Sequence, residues 1–93
     1  MSTIQSTVFM ALQTNDDTRP IIEALQRDNP HAVVNRLPAM VKIDAPGRLV
    51  LKRSTVEEIL GQAWDLQEIN LNLISLSGNV EETEDEMILQ WNR

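Results

Sequence analysis

The chain has 93 residues, the length of one small domain, because two independent hydrophobic cores would not fit. Its 14 Asp and Glu residues against 8 Lys and Arg residues give a net charge of −6, which argues against nucleic acid or an anionic membrane surface as the main partner. The sequence has no cysteine, so disulfides, thiolate metal sites and thiol nucleophiles are excluded together.

The first half of the chain alternates between strand and helix patterns. The apolar segment 8–13 favours a strand, and the residues 15–18 that follow it are typical of a helix N-cap. Pro20 is tolerated only in a first helical turn, and the pair Asn29-Pro30 ends the helix. Two further strands are predicted over 32–38 and 40–44, before a Pro-Gly turn at 45–48.

The second half repeats this plan without repeating the sequence. A strand at 49–52 precedes a capping box, Ser54 to Glu57, which predicts a short helix that ends before Gly61. Apolar and polar residues then alternate over 69–73, which predicts a strand, and the alternation is lost at 74–76, which indicates a bulge. An acidic loop at 78–86 and a final strand at 87–91 complete the chain.

The predicted element order is β-α-β-β followed by β-α-β-β. Strand pairs interrupted by two helices favour an α+β fold with mainly antiparallel sheets. We therefore expect one compact domain over residues 1–93, with residues 1–7 flexible.

Few residues are suited to catalysis or to cofactor binding. His31 is the single imidazole, and the sequence around it lacks the ligand spacing of a metal site. The acidic segment 81–86 resembles a calcium loop only in charge, and no glycine-rich phosphate-binding motif occurs. We expect no metal and no cofactor, and a binding protein rather than an enzyme.

The sequence also bears on where the protein works. No apolar run approaches the roughly 20 residues that span a bilayer, and residues 1–7 lack the basic start and apolar segment of a secretory signal. We expect a cytoplasmic protein without a membrane partner.

Composition alone leaves alternatives open. The chain could be a small enzyme that uses Asp44 or His31, or a sensor that binds small aromatic molecules in its own core. Trp64 could pack in the core or anchor an interface. The polar residues Asn70, Asn72 and Ser75 could form a solvent-facing edge or an adaptable contact surface.

Five segments together carry a resemblance to a known family. They are MALQ at 10–13, NDDTRPI at 15–21, DNP at 28–30, PAMVKIDAPGRL at 38–49 and WDLQE at 64–68. In this order and spacing they resemble the regulatory (coupling or effector) components of bacterial multicomponent phenol hydroxylases. A weaker similarity, which includes Ile43, Gly47, Asn72 and Gly78, reaches the regulatory protein of soluble methane monooxygenase.

This resemblance implies a function and its partners. Members of the family carry no metal, flavin or haem, and they bind the large subunit of a di-iron hydroxylase. Binding reshapes access to the active site and couples NADH-derived electrons and O₂ to aromatic hydroxylation. A flavin/Fe–S reductase supplies the electrons.

The resemblance also implies a contact strand. In the methane relatives, residues on the strand before the position of Gly78 influence substrate access. The matching positions here are Asn72, Ile74, Ser75 and Leu76. Together with Asn70 from the same polar segment, and with Trp64 as an anchor, they are the predicted partner-binding residues. Ile74 and Leu76 are larger and more apolar than the residues of those relatives.

Overall fold

The computed structural model describes residues 7–91. Within that range the chain forms seven strands, two α-helices and one 3₁₀ helix. Their bounds, in chain order, are β1 Thr7–Gln13, α1 Arg19–Asp28, β2 Val33–Arg36, β3 Met40–Pro46, β4 Arg48–Lys52, α2 Arg53–Leu60, the 3₁₀ helix Leu66–Leu71, β5 Leu73–Ser77, β6 Asn79–Glu82 and β7 Glu86–Gln90.

The strands form two sheets. The first has the order β2-β3-β1-β5 and the second has the order β4-β7-β6, and each pairing within them is antiparallel. The predicted α+β class with mainly antiparallel sheets is therefore confirmed. The expectation of a flexible segment at 1–7 falls on residues 1–6, which lie outside the described residues, and on Thr7, the first residue of β1.

The two β-α-β-β halves do not form one sheet each. The second half contains an additional strand, and β5 joins the sheet of the first half by pairing with β1. The chain passes into the second sheet at Gly78, where φ is 130° and an added Cβ would meet Val8 Cγ1 at 3.0 Å. Glycine meets both constraints, because it has no Cβ and adopts positive φ readily.

The core lies between the two sheets and α1. Strand β1 contributes Val8, Met10 and Leu12, which are fully buried. Helix α1 is amphipathic and buries a face that includes Ile21 and Leu25. This apolar burial is the main favourable term in folding.

Three sequence predictions were wrong in their local structure. The predicted strand at 69–73 is mostly the 3₁₀ helix, because the Asp65 carboxylate caps the backbone N–H of Gln67 at 2.9 Å. The predicted loop at 78–86 contains the strand β6. All of its residues are exposed, and it forms through its antiparallel hydrogen bonds to β7. The predicted capping box does not cap, since α2 begins at Arg53 and the Glu57 carboxylate accepts a hydrogen bond from the Trp64 backbone N–H instead.

Asn29 joins α1 to the second sheet. Its side-chain amide donates to the carbonyls of Leu25 (2.8 Å) and Val50 (2.7 Å), and its Oδ1 accepts from the Val50 N–H (3.0 Å). The Asn29 side chain thus provides hydrogen-bond partners for both the N–H and the carbonyl of Val50, as the backbone of a neighbouring strand would. Buried backbone groups left without such partners are costly.

We expect Asn29→Ala to lower the free energy of unfolding by about 2–3 kcal/mol, because the two backbone groups of Val50 lose their partners. Urea denaturation of the purified chain measures this change. The matched control is Asn35→Ala, since Asn35 is exposed on β2 and makes one side-chain bond, to Asp44 at 2.7 Å. That control should shift stability by no more than about 0.5 kcal/mol. Equal losses in the two variants would contradict the assigned role of Asn29.

Candidate functional site

The 3₁₀ helix, β5 and the single residue between them contain most of the predicted partner-binding residues. Asn70 is exposed within the 3₁₀ helix, and its side chain donates to Gln67 Oε1 at 3.3 Å. Asn72 lies between the two elements and is 8% exposed. Ile74 and Ser75 are exposed on β5, and Leu76 is half-buried against the core. The predicted residues are therefore close in the chain but differ in burial.

A bulge explains why two successive β5 residues point away from the core. Side chains normally alternate across a strand, so one of two neighbours should face inward. The pairing with β1 shifts register here, because Ala11 opposes Ser75 whereas Leu12 opposes Leu73. Ile74 is left as the extra residue, and both Ile74 and Ser75 are exposed. This register shift confirms the irregularity predicted at 74–76.

Asn72 is directed inward. Its Oδ1 accepts a hydrogen bond from Asn15 Nδ2 at 2.7 Å, across 57 residues of sequence. Its backbone N–H donates to the Ile69 carbonyl at 3.1 Å, and its carbonyl accepts from the Gln13 N–H at 2.9 Å. Asn72 therefore connects the 3₁₀ helix, the end of β1 and the turn that precedes α1.

Trp64 belongs to the core. It is 9% exposed, packs in the main hydrophobic cluster, and is fixed by the bond from its backbone N–H to the Glu57 carboxylate at 2.9 Å. As an anchor it could therefore act only through the small part that reaches the surface.

A surface groove of about 440 Å³ brings Trp64 and Asn72 together, and Asn70, Ile74, Ser75 and Leu76 lie outside it. Other apolar residues on its walls include Pro20, Leu60 and Leu71. Its charged residues are Arg19, which lies 2.6 Å from Asp16, and the acidic residues Asp16, Asp17, Glu23 and Glu68. A groove whose walls are both apolar and acidic suits a protein segment that carries apolar and basic side chains.

Leu71 is the surface residue that the sequence analysis missed. Its side chain is 75% exposed, the largest exposure among the large apolar residues of 7–91, whereas Ile69 is fully buried. An alternating strand would place the two on one face, but at three residues per turn a 3₁₀ helix rotates Leu71 about 240° from Ile69. The sequence does contain a signal for this helix, because Asp65 and Glu68 have the three-residue spacing of a capping box at a helix N-terminus.

The residues considered for catalysis lie elsewhere. His31 is exposed in the turn before β2. Asp44 lies on β3, where its carboxylate accepts from Asn35 at 2.7 Å and lies 3.5 Å from Lys42 Nζ. Among residues 7–91, no group of three or more His, Asp or Glu residues is placed to hold a metal ion. Within the same residues, no helix is long and apolar enough to cross a membrane.

Comparisons with known proteins define the class. The chain is 49% identical over 88 residues to the stimulatory component DmpM of phenol 2-monooxygenase from Pseudomonas sp. (strain CF600), across 95% of this chain and 98% of that one. Two chains from solved structures of a phenol hydroxylase–regulatory protein complex match with TM-scores of 0.90 and 0.86, at 49% and 46% identity. These matches cover 94% and 92% of this chain and 100% of each matched chain. The protein is thus of the class of non-catalytic regulatory components, as predicted, and these matches do not support the alternative of a small enzyme that composition left open.

The chain belongs to the MmoB/DmpM family, whose sequence model matches residues 6–90. The regulatory protein B of soluble methane monooxygenase has the same fold, with a TM-score of 0.73 at 18% identity over 99% of this chain and 70% of that one. The family resemblance inferred from the sequence is therefore confirmed.

We expect Leu71→Asp to change the free energy of unfolding by no more than about 0.5 kcal/mol, because an exposed apolar side chain contributes little to folding. Ile69→Ala should lower it by about 2–5 kcal/mol, because a fully buried side chain leaves a cavity. Chemical denaturation of both variants measures the difference. A large loss for Leu71→Asp would contradict the outward orientation.

Proposed function

We propose that this chain is the regulatory component of a phenol hydroxylase. In this role it binds the large subunit of a di-iron hydroxylase, reshapes access to the active site, and couples NADH-derived electrons and O₂ to aromatic hydroxylation. The observation that carries the proposal is the 49% identity to a phenol 2-monooxygenase stimulatory component across 95% of the chain.

The exposed apolar side chains beside Asn72 support a docking surface at this place. Leu71 is 75% exposed and Ile74 is 47% exposed, and they lie on either side of Asn72 in the chain. Burying such side chains against a partner contributes roughly 25 cal/mol per Å² of apolar surface, before the costs of association. We propose that Leu71 joins Asn70, Ile74 and Ser75 as contact residues, with Asn72, Leu76 and Trp64 supporting them from beneath.

The proposed mechanism acts through conformational preference. A protein without a reacting group changes the rate of another protein when it binds one of that protein's conformations more tightly than the others. Exposed side chains on a rigid core are suited to this, since they present a fixed shape to the hydroxylase. Electrons come from a separate reductase, which completes the coupled reaction.

The negative charge of the chain should influence how fast it associates with the hydroxylase. The chain carries −6 overall, and Asp16, Asp17, Glu23 and Glu68 line the groove beside the proposed contact residues. A basic surface on the hydroxylase would be attracted to this face, and added salt would slow association by screening.

The first test is a titration. Product formed per NADH consumed is measured with fixed hydroxylase and reductase while this chain is added from zero to excess. A rise in rate and coupling that saturates near a stoichiometric ratio supports the proposal. No change in either quantity would overturn it for that hydroxylase. Calorimetry with phenol and the chain alone then tests the sensor alternative, for which heat should appear without any partner.

We expect Leu71→Asp and Ile74→Asp each to raise the dissociation constant for the hydroxylase by about tenfold or more, because a charge replaces apolar contact area at the interface. The matched control is Leu37→Asp. Leu37 is 48% exposed and follows β2, at the opposite edge of the same sheet from β5. All three variants should keep the wild-type free energy of unfolding within about 0.5 kcal/mol. Equal weakening by Leu37→Asp would contradict the assigned surface.

A further inference from the structure

A side-chain hydrogen bond links the proposed docking surface to a distant part of the chain. Asn15 Nδ2 donates to Asn72 Oδ1 at 2.7 Å, and Asn72 is 8% exposed. Asn15 follows β1, whereas Asn72 precedes β5, so the bond joins two segments that are far apart in sequence. From the sequence we expect Asn72 to contact a partner and Asn15 to belong to a helix N-cap.

The orientation of Asn15 is fixed by Thr18, which is 1% exposed. The Thr18 N–H donates to Asn15 Oδ1 at 3.1 Å, and the Asn15 N–H donates to Thr18 Oγ1 at 3.2 Å. The Thr18 hydroxyl also donates to the Asn15 carbonyl at 2.9 Å. Because Oδ1 is occupied by Thr18, the Asn15 side chain presents its NH₂ group to Asn72.

The Asn15–Thr18 turn is itself attached to α1. The Thr18 carbonyl accepts from the Ile22 N–H at 2.9 Å, within the first turn of the helix. The Thr18 side chain makes no capping hydrogen bond to the helix, and its hydroxyl bonds to the Asn15 backbone instead. The donor that reaches Asn72 is therefore held by a hydrogen-bonded turn that is itself bonded to the start of α1.

Asn72 lies where the backbone changes from 3₁₀ helix to strand. Its side chain forms the link to Asn15, while its own N–H and carbonyl bond to Ile69 and to Gln13. The register shift immediately after it leaves Ile74 outside the regular pairing with β1. This segment therefore has fewer backbone hydrogen bonds to β1 that restrain it. The Asn15–Asn72 bond consequently has more influence on the orientation of the Leu71 and Ile74 side chains.

We propose that Asn15 is a positioning residue for hydroxylase docking: its bond to Asn72 holds the junction of the 3₁₀ helix and β5 so that Leu71 and Ile74 present one fixed surface. Asn15 need not touch the partner. This inference rests on the proposed function, because it assigns a role within the same surface. It predicts that loss of the bond weakens activation of the hydroxylase even when the chain stays folded.

The test is a double-mutant cycle with Asn15→Asp and Asn72→Asp. In Asn72→Asp the Asn15 amide still donates to a side-chain oxygen. In Asn15→Asp the Asn72 amide turns over and donates in the opposite direction, so each single variant can form one bond. In Asn15→Asp the oxygen that accepts from the Thr18 N–H also remains. The double variant places two carboxylates against each other and loses the bond. The cycle removes the separate effects of each added charge on binding.

Two quantities are measured for every folded variant: the dissociation constant for the hydroxylase, and product formed per NADH consumed at saturation. We expect the double variant to bind about tenfold more weakly than the product of the two single effects predicts. We also expect lower coupling at saturation. A double variant that equals the combined singles in both quantities would overturn the inference, since a merely structural bond changes stability but not the affinity of the folded chain.

If the double variant does not fold alone, Asn15→Ser takes its place. Serine keeps a side-chain oxygen for the Thr18 N–H and lacks the amide donor to Asn72. An increase of about tenfold in the dissociation constant supports the inference, and an unchanged constant overturns it. The matched control is Asn35→Ser, on the opposite edge strand of the sheet, which should leave the dissociation constant unchanged.

The two proposals fail in different ways. A wild-type chain that does not change the rate or coupling of the hydroxylase overturns the proposed function. A wild-type chain that activates, together with variants that activate equally, overturns only the role of Asn15.

Discussion

The pairing of β1 along both of its edges is the constraint on which the rest of the structure depends. Strand β1 lies between β3 and β5, and its side chains Val8, Met10 and Leu12 are fully buried. A shift of one residue would turn every one of these side chains to the other face, so the register is strongly specified. Because β5 pairs only with β1 among residues 7–91, the positions of its side chains follow from that register.

The proposed docking surface arises where this regular pairing is interrupted. The register shift beside Leu12 turns both Ile74 and Ser75 outward, and the preceding 3₁₀ helix turns Leu71 outward. Exposed apolar side chains contribute little to folding and become useful when a partner covers them. The core side chains of β1 are fully buried, whereas the irregular segment contains the residues that we assign to binding. Local departures from regular structure are commonly found at functional sites.

The burial of individual residues divides the predicted site into two roles. Asn70, Ile74 and Ser75 are accessible to a partner, whereas Asn72 and Trp64 are held from inside by hydrogen bonds from Asn15 and to Glu57. A substitution at Asn72 would therefore act first on the orientation of its neighbours. Sequence resemblance can assign importance to such a position but cannot distinguish contact from support, because both roles limit which residues are accepted.

The sequence by itself determined the fold class, most of the strands, α1, the irregularity at 74–76 and the family, because these depend on local apolar patterns and on motifs in order. It predicted a strand at 69–73 and a loop at 78–86, where short segments of similar composition fit more than one structure. Only the tertiary structure decided that β5 joins the first sheet, that β6 pairs with β7, and that Leu71 faces outward while Asn72 faces inward. These outcomes depend on partners distant in sequence, such as Asn15 for Asn72 and Leu12 for Leu73, and a local pattern does not identify such partners.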